Sequence, residues 1–442
     1  NTRDGAQGEG ILDRNTKTVE IAYNTMIYEN NLIKKVGNKR GFITSPKTIA
    51  DGTIRKIKAA FRNLYSNQSE DNVIVLSGGA DFKEASSTSV EMQLNENKET
   101  NAKELAKLFG FSPFVYRLPG VLFGIFIVIA IYYICKKLFD DIYLSCVGAI
   151  LFAGDFMHLT TSRIGTIEPF SIFFIIMMYY FMVKYYKEDN YKKELINLLL
   201  SGIFMGFAIS VKWNACYSAV GLAFILFRKL LEKKERVIKT LLWCLLFFVL
   251  NPLLIYCLCY LPDKVWKDDV WSFKNVFEHN LMMFKYHHEL NASHPFEAKW
   301  YEWLLDLRPI WYYANINDNV SNTIACFSNP LLTWFGLPCV VYTLFNIKDK
   351  RAFVIIMGYV SSLLPWIFIS RSTFAYHFYP TSIFTMLAIV YTFSKLENRK
   401  VINTFIFIYL LVFIVYLPIC TGFGTTREYI KLLEVLPRWY FG

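Results

Sequence analysis

The sequence predicts an α-helical polytopic membrane protein. Hydrophobic residues make up 54% of the chain, and its mean hydropathy is +0.30. Apolar runs near the length of about 20 residues that crosses a bilayer core recur from residue 116 onward. Basic residues are concentrated in alternate short loops between those runs, the pattern of cytoplasmic loops. Together these observations exclude a soluble globular protein.

The apolar runs predict about ten membrane helices. They lie at residues 116–135, 143–159, 166–184, 195–211, 214–228, 238–260, 330–346, 352–369, 374–393 and 401–420. The basic loops lie at residues 136–141, 184–194, 228–239, 346–351 and 395–400. By the positive-inside rule these loops are cytoplasmic, so the remaining loops and the C-terminus face outward.

Charge and cysteine content exclude several other classes of protein. The net charge is +11, but a nucleic-acid partner needs a contiguous basic soluble face, and here the Lys and Arg residues are spread over short loops. The nine cysteines show neither CxxC pairs nor Cys/His metal spacing, so no disulfide framework or metal site is expected. A transporter fits poorly, because the ionisable residues cluster outside the membrane and not at its midplane.

Residues 1–110 are polar and contain no apolar run of spanning length. Apolar residues from Ile54 to Leu64 follow helical spacing, whereas residues 72–77 and 86–94 have strand-like composition. This predicts a mixed α/β outer loop at the N-terminus. Because this region faces outward, we expect one further helix before Asn1.

The multispan domain is expected to cover residues 111–442, with a large outer loop at 261–329. Within that loop, His294–Tyr313 reads HPFEAKWYEWLLDLRPIWYY and mixes charged groups with Trp and Tyr rings. Aromatic rings with an apolar body and a polar edge suit the water–lipid boundary. We interpret this stretch as one wall of a site where a lipid-borne substrate meets an aqueous one.

Other ionisable residues stand near the outer ends of the predicted helices, where charge is costly. Arg117 is either an interfacial anchor or a guanidinium fork for phosphate. Four more ionisable groups lie close together between two spans, as site residues or as ion pairs that stabilise the loop. These are Asp155, His158, Arg163 and Glu168.

Two further outer positions carry cations. Lys212 precedes Trp213 at a helix turn, and Arg371 lies six residues before His377. Lys212 is either an interfacial anchor or a site residue. Arg371 and His377 are either part of a site, or His377 is a structural residue. Cations, carboxylates and aromatic rings at one boundary together suit a lipid-linked phosphate that carries a sugar.

At these residues the sequence resembles the protein O-mannosyltransferases in their bacterial form, polyprenyl- or dolichyl-phosphate-mannose–protein mannosyltransferases with a GT-C fold. The similar motifs, in the family's order, read FSPFVYRLPGVLFG, DFMHLTTSRIGTIEPF, SVKWNACY, SHPFEAKWYEWLLDLRPIWYY, FSNPLLTWFG and LPWIFISRSTFAYHFYP. They lie within residues 103–442. The HP…KW…LRPIWYY block, which includes His294, Lys299 and Trp300, is the most specific.

The resemblance implies a role for each matching residue. Arg117 takes the place of the donor-phosphate arginine, with Arg308, Lys212 and Arg371 as further cations near the phosphate. Catalytic carboxylates are expected among Asp4, Asp155 and Glu168, and other site residues among His158, Arg163, His294, Lys299, Trp300 and His377. The first outer loop departs from the family, because it lacks the usual Asp-Glu pair and the HPP motif, although it keeps Lys103. The nearby acids are Asp4 and Glu9. If the expected helix ends just before Asn1, Asp4 falls where the catalytic carboxylate is expected; otherwise Asp4 is an ordinary loop residue and the carboxylate lies upstream of Asn1.

The resemblance implies inverting transfer of mannose from a polyprenyl-phosphate donor to Ser or Thr hydroxyls of proteins. The expected partners are the lipid-linked donor, a protein acceptor and membrane lipids, without a cofactor or a metal. A GT-C transferase that acts on a lipid or a wall polymer, or a non-catalytic family member, remains an alternative. We expect a multi-pass protein of the cell membrane, with its site on the extracytoplasmic face.

Overall fold

A computed structural model describes residues 41–44, 81–84, 113–261, 272–289, 294–316 and 320–441. The chain divides into two compact units, Asn1–Asn97 and Lys98–Gly442. Asp4, the helix expected near Ile54 and the strands expected at 72–77 and 86–94 lie outside the described residues. The boundary predicted between residues 110 and 111 therefore stays a prediction.

In the first unit, strand β1 (Gly41–Thr44) pairs antiparallel with strand β2 (Asp81–Glu84). Gly41 lies opposite Glu84, and Thr44 lies opposite Asp81. The sequence did not predict strands at these positions. Their short apolar content, one Phe in each and Ile43, is too weak a period-2 signal to recognise.

The second unit is mainly helical. Its first part contains α1 (Pro113–Phe139), α2 (Ile142–Ala153), α3 (Phe156–Arg163), α4 (Glu168–Lys187), α5 (Tyr191–Val211) and α6 (Ala215–Lys233). Helix α7 (Val237–Leu245) continues through a π-helical turn (Leu246–Leu250) into α8 (Asn251–Leu258). Helix α9 (Phe273–Glu289) follows in the large loop.

The large loop then forms a short helix and a hairpin. Helix α10 (Trp300–Trp303) precedes strands β3 (Ile310–Ile316) and β4 (Ser321–Cys326), which pair antiparallel. The register shifts between Trp311 and Tyr313, so Tyr312 is the extra residue of a β-bulge. His294–Tyr313 is therefore a loop, a short helix, a turn and a strand in succession.

The last part is helical again. It contains α11 (Pro330–Trp334), α12 (Gly336–Phe345), α13 (Lys350–Leu363), α14 (Tyr379–Phe393), α15 (Arg399–Thr421) and α16 (Arg427–Leu433). Two 3₁₀ turns, Leu364–Phe368 and Ala375–Phe378, lie between α13 and α14.

Several helices begin at an Asp or Asn that follows basic residues. Asp141, Asn190, Asp349 and Asn398 each accept a hydrogen bond from a main-chain N–H in the first turn of α2, α5, α13 and α15. These bonds satisfy amides that have no partner within the helix. The basic loops therefore also contain the start signals of the helices that follow them.

Six helices among the described residues are long and apolar enough to cross a membrane, or seven if α2 and α3 form one bent span. Helix α14 has 15 residues, and α6 carries Arg228, Lys229 and Glu232 in its C-terminal turns. The chain is thus a multi-pass membrane protein, whereas the number of ten spans stays a prediction. The run expected at 143–159 divides into two helices that meet at 60°.

Helix α14 lies at the centre of the bundle, because all of its residues except Thr392 are buried. A helix that is apolar all round belongs in a core or in lipid, and here protein surrounds it. Its first residue, Tyr379, is fully buried and reaches the break between α2 and α3. The core therefore fixes the position of the residues at the outer end of α14.

The C-terminal residues close a second, smaller core. Trp439 and Phe441 pack with Phe156, Phe327 and Tyr416, which come from α3, the end of β4 and α15. The Trp439 indole N–H donates to the main-chain oxygen of Asp306 over 2.6 Å. Residues after the last predicted span therefore hold the large loop against the helices.

We expect Trp439→Ala to destabilise the protein by about 3–5 kcal/mol, because it removes a buried ring and leaves a cavity. Phe423→Ala is the matched control, since Phe423 is 67% exposed. Thermal unfolding of the full chain in detergent micelles, followed with a thiol-reactive dye that reports exposure of the buried cysteines, measures both. Equal midpoints for the two variants would contradict this account.

Candidate active site

The break between α2 and α3 is held by a buried carboxylate. Asp155 has no exposed surface, and its Oδ1 accepts the main-chain N–H of Asn329 over 2.8 Å. The Asn329 side-chain amide donates to the Gly154 oxygen over 3.2 Å. A side chain at Gly154 would lie 2.8 Å from the Tyr409 ring. Asp155 thus joins the α2–α3 break to the start of α11, and α15 packs against it.

His158 lies one turn further along α3. Its Nδ1 is 2.6 Å from the Tyr379 hydroxyl, and both side chains are buried. The Phe152 ring packs against the His158 ring and stacks on Tyr379. His158 is therefore a core residue that connects α3 to the central helix.

Two arginines come together at the ends of α1 and α3. The Arg163 Nη atoms donate to the main-chain oxygens of Cys420 and Thr421, each over 3.4 Å, at the C-terminus of α15. Arg117 is exposed and lies over the Tyr116 ring, 5.6 Å from its centroid. It is close enough to Arg163 to affect it electrostatically. Among the described residues no carboxylate pairs with Arg117, which suits an anion site.

Glu168 and Lys212 form an ion pair nearby. Lys212 Nζ lies 3.0 Å from Glu168 Oε1 and 4.9 Å from the centre of the Tyr376 ring. Glu168 is 8% exposed, and its Oε2 has no hydrogen-bond partner among the described residues. As the first residue of α4, Glu168 also stands where the helix dipole favours negative charge.

His377 sits within a group of aromatic rings. Its ring centre is 4.4 Å from that of Tyr376 and 4.6 Å from that of Trp366, and Trp303 stacks at 5.9 Å. Lys212 and half-buried Arg371 are both within electrostatic range of it. The structure therefore brings together Glu168, Lys212, Arg371 and His377, which the sequence analysis predicted as site residues.

The stretch from His294 docks on the segment before α14. The Ala298 N–H donates to the Thr373 oxygen over 2.7 Å, and the Thr373 hydroxyl donates back to the Ala298 oxygen over 2.6 Å. The Ser372 hydroxyl donates to Glu297 Oε2 over 2.8 Å. These bonds fix the large loop beside Arg371 and Tyr376.

The other predicted residues of this stretch differ in their surroundings. His294 Nδ1 accepts the Phe296 N–H over 3.1 Å, and its ring meets Phe374 edge to face at 5.1 Å. Lys299 is exposed, although its main-chain N–H donates to Glu302 Oε2 over 2.6 Å. The half-buried Trp300 ring packs against the main core.

Arg308 is bound mainly to main-chain oxygens. Its two Nη atoms donate to the oxygens of Pro295 and Arg438, and its guanidinium lies over the Phe296 ring. Arg438 in turn pairs with Glu302. Burial and the nearby Arg438 lower the pKa of Arg308. In this arrangement the guanidinium organises the loop.

Asp306 is another buried carboxyl group, 2% exposed, in a left-handed conformation with φ of 55°. Its Oδ2 has no hydrogen-bond partner among the described residues. Burial, and next the negative charge of Asp155, raise the pKa of Asp306 well above its usual value. The carboxyl group is therefore favoured in its neutral form.

Sequence reasoning missed several residues that organise the site. Tyr379, Asn329, Arg438 and Trp439 make the contacts described above, and Tyr312 approaches Glu168 and Tyr376. The Asn-Pro pair before α11 is a recognisable helix start, and the RWYF sequence at the C-terminus has interfacial composition. The partners of these residues are remote in sequence, so the pattern alone does not reveal them.

A helical membrane bundle with cations, a carboxylate and aromatic rings at one end is the arrangement expected of a GT-C glycosyltransferase. The structure of the S. cerevisiae protein O-mannosyltransferase Pmt1-Pmt2 complex bound to the sugar donor has a similar fold, with a TM-score of 0.66 and 12% identity. The similarity covers 74% of this chain and 81% of that one.

Two family models match the chain in succession. Residues 89–266 match the dolichyl-phosphate-mannose-protein mannosyltransferases, and residues 272–439 match the C-terminal four TMM region of protein-O-mannosyltransferase. The chain belongs to the protein O-mannosyltransferase family, as its motifs predicted, and is a glycosyltransferase. Residues 1–120 also match a model described as Phage portal protein, which overlaps the first match at residues 89–120.

Curated relatives agree with this assignment. A polyprenol-phosphate-mannose–protein mannosyltransferase of Corynebacterium glutamicum is 23% identical over 428 residues, which cover 76% of this chain and 80% of the relative. A protein of the same name from Mycobacterium tuberculosis is 21% identical over 409 residues, which cover 75% of this chain and 78% of the relative.

We expect Lys212→Met to destabilise the protein by about 3–5 kcal/mol, because it leaves the Glu168 charge buried without its partner. The double variant Lys212→Met/Glu168→Gln should recover much of that loss. A double-mutant cycle on thermal unfolding in detergent measures the coupling. The exposed pair Lys274–Glu278, at 3.8 Å, is the control and should couple by only about 0.3–0.5 kcal/mol. Additive effects at Lys212 and Glu168 would refute the ion pair.

Asp306 predicts a pH dependence of stability. Folding raises the pKa of Asp306. Its contribution to the free energy of unfolding is therefore fully present below the unfolded pKa of about 3.9 and is lost as the pH rises toward the folded pKa. Asp306→Asn cannot ionise, so its unfolding midpoint should rise relative to wild type between pH 4 and pH 8. A constant difference would show that Asp306 does not titrate in this way.

Glu428→Gln is the control for that measurement. A main-chain amide and the Thr426 hydroxyl lower the pKa of Glu428, so its contribution is lost only as the pH falls through that lowered pKa. Its midpoint difference from wild type should stay flat between pH 5 and pH 8.

Proposed function

We propose that this chain transfers mannose, with inversion, from a polyprenyl-phosphate donor to Ser or Thr hydroxyls of proteins. The observation that carries the proposal is the group formed by Lys212, Glu168, Tyr376 and Arg371 at one end of the bundle. It supplies cations for a phosphate, a carboxylate and rings for a sugar. The proposal is supported by the names of the curated relatives, which are polyprenol-phosphate-mannose–protein mannosyltransferases.

The donor phosphate is held by cations of this end of the bundle. Arg117 is exposed and lacks a carboxylate partner among the described residues, so its paired donors are available for phosphate oxygens. Lys212 and Arg371 add positive charge beside Glu168 and His377. Arg308 acts as a positioning residue, since its Nη atoms bind main-chain oxygens.

In the reaction, the acceptor Oγ attacks C1 of the mannose while its proton passes to a carboxylate. The bond between C1 and the phosphate oxygen breaks, and polyprenyl phosphate leaves with the bonding electron pair. The cations stabilise the charge that develops on this leaving group. Phosphate leaves without protonation, so the mechanism needs a general base and no general acid.

We assign the general base to Asp4, the acid that could replace the Asp-Glu pair that this chain lacks in the first outer loop. Asp155 is fully buried as a helix cap, and Glu168 Oε1 is bound by Lys212. Asp155 therefore cannot meet an incoming hydroxyl without breaking these contacts, and the Lys212 charge makes Glu168 a weak proton acceptor, although its Oε2 lacks a partner among the described residues. Asp155, His158 and Arg163 position the helices around the site, while His294, Lys299, Trp300 and His377 shape its wall.

The site is proposed to face the extracytoplasmic side. The basic loops follow α1, α4, α6, α12 and α14, and the site residues lie at the opposite ends of these helices. Positive charge favours the cytoplasmic side, which leaves the site outward. Secreted or translocating polypeptides would meet the lipid-linked donor there.

Arg117→Gln is expected to lower kcat/KM for mannosyl transfer by about 10²–10³, the usual effect of removing one stabilising donor from a charge-developing site. Asp4→Asn should lower it by about 10²–10⁴, the range of general-base catalysis. The assay uses the purified full chain in detergent with polyprenyl-phosphate-mannose and a Ser/Thr peptide. A lipid acceptor tested in parallel distinguishes transfer to protein from transfer to lipid.

Arg399→Gln is the matched control, because Arg399 starts α15 at the other end from the Arg163 contacts and is 3.9 Å from Asp141. It should retain wild-type transfer. If the wild-type chain gave product only with the lipid acceptor, or if Asp4→Asn changed nothing, the proposed acceptor or the proposed base would be wrong.

A further inference from the structure

The β-bulge of the hairpin sets Tyr312 apart from its neighbours. Trp311 pairs with Ala325 and Tyr313 with Ile324, consecutive residues of β4, so Tyr312 has no partner in the ladder. Bulges commonly redirect a side chain next to a functional site. The phenol of Tyr312 lies within electrostatic range of Glu168 and Tyr376, two residues of the group described above.

The Tyr312 hydroxyl is suited to donate a hydrogen bond. Burial of the phenol raises its pKa well above the usual value, and nearby Cys326, Glu168 and Tyr376 act in the same direction. The hydroxyl therefore keeps its proton. The side chain as a whole is 37% exposed, so the ring remains accessible to a ligand.

Glu168 supplies the complementary acceptor. Lys212 holds Oε1 at 3.0 Å, whereas Oε2 is buried without a hydrogen-bond partner among the described residues. An unsatisfied buried carboxylate oxygen is costly, which makes it an acceptor for a ligand donor. A sugar hydroxyl is both donor and acceptor and can satisfy Glu168 and Tyr312 together.

We propose that Tyr312 and Glu168 Oε2 form a subsite that binds a hydroxyl of the donor's sugar and so contributes to sugar recognition. This inference rests on the proposed function. In it, the sugar hydroxyl donates to Glu168 Oε2 and accepts from the Tyr312 hydroxyl, while the Tyr376 ring faces the sugar. Tyr312 is a specificity-determining residue and takes no part in proton transfer.

The donor sugar is favoured over the acceptor hydroxyl by the position of the cations. Lys212 contacts both Glu168 and the Tyr376 ring, and Arg371 is on the His377 side of the same group. A phosphate bound by these cations carries its sugar by a covalent bond, so the sugar hydroxyls must lie within a few bonds of them. An acceptor side chain has no such constraint.

The test compares the binding of polyprenyl-phosphate-mannose with that of polyprenyl phosphate, which lacks the sugar. Wild-type protein in detergent should bind the mannosylated lipid more tightly. Tyr312→Phe should reduce this sugar-dependent affinity ratio by about tenfold, the loss of one hydrogen bond in a desolvated site. Glu168→Gln should reduce it as well. Tyr313→Phe is the matched control, because Tyr313 pairs in the ladder, and it should keep the wild-type ratio.

The binding measurement tests the subsite independently of mannosyl transfer, so failure of this inference can be distinguished from failure of the proposed function. If Tyr312→Phe weakens both lipids equally, or leaves the ratio unchanged, the subsite is refuted even when transfer proceeds. In transfer assays the variant should raise KM for the donor and leave KM for the peptide unchanged, and a change confined to the peptide would also overturn it. If wild type binds with a sugar-dependent ratio but transfers nothing, the proposed function fails while the subsite stands.

Discussion

The arrangement of the site depends on how the break between α2 and α3 is satisfied. Ending one helix and starting another inside a membrane bundle leaves main-chain amides without partners, at a cost of several kcal/mol each in an apolar environment. Asp155 caps α3 and also accepts the Asn329 N–H, while the Asn329 side chain returns a bond to Gly154. One carboxylate thus satisfies main-chain amides at the break and joins parts of the chain that are 174 residues apart. Its burial suits this task better than catalysis.

The Glu168–Lys212 pair shows a different use of buried charge. Taking two charges out of water costs more than a typical ion pair returns, so stability alone is a weak reason for such a pair. Here the pair is incomplete, because Glu168 Oε2 lacks a partner among the described residues while Lys212 also faces the Tyr376 ring. A ligand that completes the hydrogen bonding would offset the cost of burial. An unsatisfied pair beside aromatic rings is therefore better explained by binding than by folding.

The helical class, the family and most of the helices in the apolar runs could be predicted from the sequence, because a membrane helix is recognised by the composition of one continuous segment. Two features required tertiary information. The run at 143–159 is apolar on both sides of Gly154 and Asp155. Asp155 is a local start signal for α3, but its contact with Asn329 could not be predicted from the segment alone. Helix α14 has the composition of a lipid-facing span, but its neighbours bury it, a distinction that hydropathy cannot make. In the candidate site, Glu168 and Lys212 could be predicted from their residue types and positions. The role proposed for Tyr312 could not, because it depends on a shift in strand register.

The composition of the stretch His294–Tyr313 suits the water–lipid boundary, but in the structure this stretch mainly binds the C-terminal residues. Trp303 is 1% exposed, and Arg308 ties Pro295 to Arg438. From Arg308 a continuous series of contacts leads through Phe296 and His294 to Phe374, which stacks on Tyr376 beside Lys212. Arg308 therefore stands at one end of a packed series of rings whose other end is the ring that Lys212 faces. Its guanidinium contributes to the site through this packing, because its Nη atoms are bound to main-chain oxygens.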